Sequence, residues 1–168
     1  ALLYGATGAF HYSGIISNLS GETWSQVLGG IGGTLILGGL AFKVALVPFH
    51  QWAPDVYTGA PTPITAFMSV VVKAAAFASL IRIATLFFPD FASVITIVFT
   101  VLVALTLVVG NAAALSQLGV KRMLAYSAVA HAGYLGLAVL ASGDLGIRAV
   151  LWYLTAYAFM NIGAFAVL

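Results

Sequence analysis

The sequence contains no cysteine. Disulfides, thiolate-held iron–sulfur clusters and cysteine-ligated zinc are therefore excluded from this chain. Charge is almost as scarce, at 6% of residues, where an ordinary soluble domain carries about 25%. Six lysines and arginines and a net charge of +2 make no basic face for nucleic acid. No two histidines have the spacing of a zinc helix, and no carboxylate pair suggests hydrolysis. What fills the sequence instead is apolar side chain, 62% of all residues. A single core of this size leaves much of its surface exposed, so the solvent implied is lipid and the chain is expected to be an integral, multi-pass membrane protein.

A bilayer core about 30 Å thick needs roughly 20 apolar residues per helix. Five runs meet that length, at 25–47, 62–88, 92–115, 123–141 and 147–168, and "ALLYGATGAF" at 1–10 reads as the end of an earlier helix. The breaks are "SNLSGE", "APDVYTGAPTP", "FPD" and "ASGDLG". Thr62 and Pro63 suit a helix start. The runs are apolar on all sides, which argues against a barrel, whose strands alternate. The expected fold is all-α, a polytopic transmembrane bundle forming one domain over 1–168. The chain opens on Ala1, shows no signal-peptide pattern and ends within an apolar run, so it is expected to be a piece of a larger membrane protein.

"GGIGGTLILGGL" invites a dinucleotide reading, but the third glycine required at position 35 is Leu35 and no strand precedes it. Close helix packing through small residues is the better account. Lys121 and Arg122 fall on one side, Arg82 and Arg148 on the other, so the positive-inside rule leaves the orientation open.

In hydrocarbon the informative residues are the polar ones, because each ionisable group there is costly. Lys73 lies mid-run in "ITAFMSVVVKAAAFASLIRIATLFF". It either pairs silently or handles a proton: a desolvated lysine can load and release one near neutral pH, making Lys73 the best single candidate proton carrier. Lys43 is near the end of its run and could snorkel. Pro48, however, cannot donate a helical hydrogen bond to Val44, which frees a carbonyl within a residue of the ammonium. Transporter ion sites often use such breaks. A continuous helix over 25–58 would be about 50 Å long, so a discontinuous helix near residues 43–50, broken at 47–48, is the more economical geometry.

His131 shares a helix face with Ser127 and Tyr134, open to either a core or a relay role. Tyr153, Tyr157 and Asn161 recur every four residues, a stripe suited to interhelical hydrogen bonding or to conduction. Asn111 fits either purpose. Arg82, near a span end, snorkels or pairs with Asp90. His50 and Asp55 follow the break, near an interface marked by Trp52 and Tyr57. His11 and Glu22 are expected to be solvated.

"GLAFKVALVPFHQWAPDVYTGAPTPITAFMSVVVKAAAFASLIR" and "SQLGVKRMLAYSAVAHAGYLGLAVLA" closely resemble the subunit N (subunit 2) family of proton-pumping NADH:quinone oxidoreductase, respiratory complex I. Related antiporter-like subunits and Mrp antiporters share the "PFHQWAPD" type of segment. They typically carry histidine near the position of Lys73, which favours subunit N. The resemblance implies proton transfer by Lys43, Lys73 and His131, with Pro48 at the helix break. It also implies a glutamate upstream of this chain and a second broken helix beyond Leu168. It places NADH, FMN and iron–sulfur clusters in partner subunits, with quinone met only indirectly. The partners would be other membrane subunits and the bilayer, and the membrane a bacterial inner membrane or equivalent. An Mrp-type Na⁺/H⁺ antiporter subunit is the alternative, and a non-transporting membrane scaffold a third reading.

Overall fold

A backbone in lipid must satisfy its own N–H and C=O groups, which an α-helix does within a single segment. The computed structural model describes residues 1–19, 23–87, 94–141 and 143–168, and their regular structure is entirely helical. In chain order the helices are α1 (Leu2–Thr7), α2 (Tyr12–Leu19), α3 (Thr23–Val44), α4 (Trp52–Gly59), α5 (Thr62–Phe67), α6 (Lys73–Phe87), α7 (Val94–Leu115), α8 (Val120–Leu140) and α9 (Gly143–Ala166). A π-helical turn, Met68–Val72, joins α5 to α6. Five stretches are long and apolar enough to cross a membrane: Thr23–Val44, Thr62–Thr85, Ile95–Leu115, Val120–Leu140 and Gly143–Ala166. The protein is thus an all-α polytopic membrane bundle.

Small residues set the closest helix contacts. A Cβ at Gly110 would lie 2.8 Å from the backbone nitrogen of Ala130, and one at Gly136 would lie 2.6 Å from Val103. Only glycine lets α7 and α8 approach this closely, and packing of this kind, rather than escape from water, drives association between helices in lipid. The glycine-rich stretch of α3 uses part of its length the same way. A Cβ at Gly32 would lie 3.2–3.3 Å from Leu3 and Leu2 of α1, whereas one at Gly38 or Gly39 would meet open space. Phe77 and Leu80 of α6, Phe99 and Val103 of α7, and Leu135 of α8 form the centre of the core, none of them more than 1% exposed.

The two ends of the bundle carry the surface charges. At one end the Lys121 ammonium donates to the Ala60 carbonyl at 2.6 Å, and Arg122 pairs with Asp55 at 3.3 Å. The start of α8 thereby holds the segment between α4 and α5. At the other end the Arg82 guanidinium lies 5.7 Å from the Tyr12 ring centroid. Asp90, the partner expected for Arg82, lies outside the described residues, as do Glu22 and the "FPD" break.

Candidate functional site

The site is built around the interruption that follows α3. The helix ends at Val44, and Ala45 takes a left-handed φ of 64°, uncommon for a residue other than glycine. The Ala45 amide donates to Phe42 at 3.1 Å and the Leu46 amide to Ala41 at 2.8 Å. The chain therefore leaves the helix three residues before Pro48, earlier than the expected break at 47–48. The Val47–Pro48 peptide is cis, Pro48 lies in the turn, and regular helix resumes at Trp52. Two side chains satisfy groups set free there. The Trp52 indole donates to the Phe42 carbonyl at 2.8 Å, and the Thr106 hydroxyl of α7 accepts the Val47 N–H at 2.9 Å.

Lys73 opens α6 directly after the π turn and is 4% exposed. Its ammonium donates to the Ala128 carbonyl of α8 and lies 5.5 Å from the ring centroid of Tyr157. The cation thus meets a backbone dipole on one side and an aromatic face on the other. Lys43, itself exposed, lines a cavity of about 120 Å³ together with Lys73, Trp52, Tyr57 and Met68. Among the described residues neither lysine has a carboxylate within ion-pair distance. The two lysines, thirty residues apart in sequence, therefore face one space.

His131 packs near Tyr157. Its Nδ1 is 2.6 Å from the Tyr153 hydroxyl, and its ring centroid is 5.0 Å from that of Tyr157 and 6.1 Å from that of Tyr134. The histidine face of α8 and the tyrosine stripe of α9 are thus one cluster, with the Tyr157 ring near both His131 and the Lys73 ammonium. Tyr157 Oη and Asn161 Nδ2 are both buried, and the Asn161 side chain is a polar group beside the Tyr157 hydroxyl. Asn111 is not part of this cluster; its amide turns back to the Leu107 carbonyl of its own helix at 2.7 Å.

Several contributors were not visible in the sequence. Tyr57, expected near an interface, is 3% exposed and lines the lysine cavity. Its carbonyl accepts the Thr65 hydroxyl at 3.0 Å, because α4 folds back against the start of α5. His50 buries its Nδ1 without a hydrogen-bond partner among the described residues and sits 6.3 Å, ring to ring, from Tyr126. The π turn before Lys73 has no marker in "MSVVV", and such turns are frequent at functional sites. Among the described residues no group of three or more His, Cys, Asp or Glu is placed to hold a metal.

An interrupted helix, two lysines on one cavity and a part-buried histidine–tyrosine cluster define a membrane-helix protein with ionisable groups placed within its spans. Residues 1–168 match the family described as "NADH:quinone oxidoreductase/Mrp antiporter, TM", and the chain belongs to that family. It is 50% identical to NADH-quinone oxidoreductase subunit N of Deinococcus radiodurans, over 99% of this chain and 34% of that protein. Respiratory complex I from Thermus thermophilus with bound aureothin contains a chain 45% identical to it, with a TM-score of 0.77 over 98% of this chain and 34% of that one. A chain of the Mrp complex from Dietzia sp. DQ12-45-1b is 27% identical, with a TM-score of 0.83 over 98% of this chain and 30% of that one. The chain spans about a third of the length of the curated relatives it matches.

Proposed function

We propose that this chain is the part of a subunit N of NADH:quinone oxidoreductase that carries protons through Lys43, Lys73 and His131. In this reading the whole complex oxidises NADH and reduces quinone. NADH, FMN and the iron–sulfur clusters belong to partner subunits, and this chain performs no redox step. Its setting is a bacterial inner membrane, among the other membrane subunits of the complex. The single observation that carries the reading is the placement of Lys43 and Lys73 on one cavity, with Lys73 buried and, among the described residues, no carboxylate beside either.

The chemistry follows from that arrangement. Charge on one lysine raises the cost of charge on the other, because coulombic coupling is strong at low dielectric. A proton arriving near Lys43 therefore favours release from Lys73, and a counter-charge drawn toward Lys43 by quinone reduction elsewhere reverses the bias. The cavity has room for several waters, which suits proton hand-off without direct contact. From Lys73 the Tyr157 ring leads to the His131–Tyr153 pair, whose hydrogen bond orients the imidazole to accept and pass a proton. We assign Pro48 the role of preventing α3 from continuing, since it has no N–H to donate to Val44. Identities of 45–50% with subunit N relatives against 27% with the Mrp chain support the complex I reading over the antiporter.

The test is ion specificity in vesicles containing the complete complex. NADH oxidation should build a pH gradient that is unchanged when sodium is removed and is collapsed by a protonophore. A gradient that requires sodium would assign the chain to an antiporter instead.

A further inference from the structure

The N–H of Val47 would bond to the carbonyl of Lys43 if α3 continued. It bonds instead to the hydroxyl of Thr106, on a different span, at 2.9 Å. Thr106 has no measurable exposure, and the same hydroxyl donates to the Leu102 carbonyl one turn earlier on α7 at 2.5 Å. One donor and one acceptor function of the hydroxyl are therefore both used, and its orientation is fixed from two sides. The neighbouring amides are already committed, Ala45 to Phe42 and Leu46 to Ala41. Pro48 has no amide to offer. Val47 is thus the last donor before the proline and is itself buried. A buried N–H in a membrane must find a partner, and only two destinations compete for it: the Lys43 carbonyl of a longer helix, or Thr106.

We propose that Thr106 is a positioning residue that holds the α3 interruption open by capturing the Val47 N–H, leaving the Lys43 carbonyl without its helical donor and setting where Lys43 stands on the cavity shared with Lys73. The proposal rests on the proton-carrying role assigned to the lysines for its functional consequence, though not for its structural one. Trp52 anchors the near side of the interruption through the Phe42 carbonyl, and Thr106 anchors the far side. No acidic or basic group enters this step. The hydroxyl acts through geometry, so valine, which has the same shape without the hydroxyl, is the discriminating substitution.

The experiment uses the full-length subunit in the assembled complex, with Thr106→Val, Thr106→Ser and Thr106→Cys. Hydrogen exchange over residues 45–51 reads the captured amide directly, independently of what the lysines do. Thr106→Val should speed exchange at Val47 by about tenfold or more, since the amide loses a buried partner, while Thr106→Ser should stay within about twofold of the parent. Protons translocated per NADH should fall in Thr106→Val and recover in Thr106→Ser, and Thr106→Cys, a weaker acceptor, should fall between them in both measurements. If Thr106→Val disrupts assembly, Thr106→Cys against Thr106→Ser gives the same comparison. Unchanged Val47 exchange in Thr106→Val, or in Thr106→Cys where valine does not assemble, would overturn the proposal. Altered exchange with unaltered proton yield in either variant would overturn its functional half. Loss of pumping in Thr106→Val together with normal pumping in Lys73→Ala would instead count against the proton-carrying role of the lysine.

Discussion

The imidazole Nδ1 of His131 lies 2.6 Å from the hydroxyl of Tyr153, across the packed faces of α8 and α9. Two polar stripes that are separate in sequence meet at this bond. It fixes the ring of His131 beside Tyr157, and Tyr157 in turn faces Lys73. The arrangement brings the lysine cavity, the Tyr157 ring and the His131–Tyr153 pair into one cluster.

Tyr153→Phe removes the hydrogen bond while keeping the ring. Hydrogen bonds between membrane helices contribute about 0.6–2 kcal/mol, so the assembled complex should remain intact. Proton translocation should fall several-fold because the imidazole loses its orienting partner. Pumping measured as acridine-dye quenching in vesicles, normalised to complex content, checks both outcomes.

Tyr157 separates the contribution of a ring from that of a hydroxyl. Its Oη is buried with the Asn161 side chain as its polar neighbour, so Tyr157→Phe should change thermal stability little, by about 1 kcal/mol. Tyr157→Leu removes the aromatic face above the Lys73 ammonium, a contact in the range of about 0.5–2 kcal/mol. Thermal denaturation of the purified complex should place the leucine variant clearly below the phenylalanine variant.

The glycine contacts of α7 and α8 predict a matched pair. A Cβ at Gly110 would stand 2.8 Å from the backbone nitrogen of Ala130, whereas one at Gly163 meets nothing within 4 Å. Gly110→Ala should cost about 1–3 kcal/mol through overpacking and reduce the yield of assembled complex. Gly163→Ala should be neutral within this chain, as read by the same assembly and melting measurements.

The ion pair at the α8 end should matter little. Arg122 and Asp55 are 46% and 71% exposed and meet at 3.3 Å. An exposed pair contributes about 0–1 kcal/mol, so Asp55→Asn should shift the melting temperature only marginally. A larger loss would assign Asp55 a role beyond holding α4 to α8.

What was legible in the sequence is what depends on composition and on spacing within one helix. The apolar runs gave the spans, the four-residue spacing of Tyr153, Tyr157 and Asn161 gave a stripe, and the depth of Lys73 in its run gave a buried cation. What was not legible depends on how helices pair. Nothing in the spacing of α8 and α9 says that His131 meets Tyr153, or that Lys73 turns toward the Ala128 carbonyl. Pro48 marked the region of the interruption but not its exit at Ala45, because a left-handed alanine is fixed by the contacts around it. Thr106 lies 59 residues from Val47, and a threonine in an apolar run carries no mark of the amide it will capture. Tyr57 read as an interfacial aromatic because its burial arises only when α4 packs against Ala125 and Ala128 of α8.

The most direct measurement is proton translocation by the complete complex carrying Lys73→Ala, with assembly and NADH:quinone electron transfer followed in the same membranes. The expected result is normal assembly with protons moved per NADH severely reduced, since the loading site proposed at Lys73 is gone. Normal assembly with unchanged proton yield would contradict the role assigned to Lys73, and with it the path from the lysine cavity to His131.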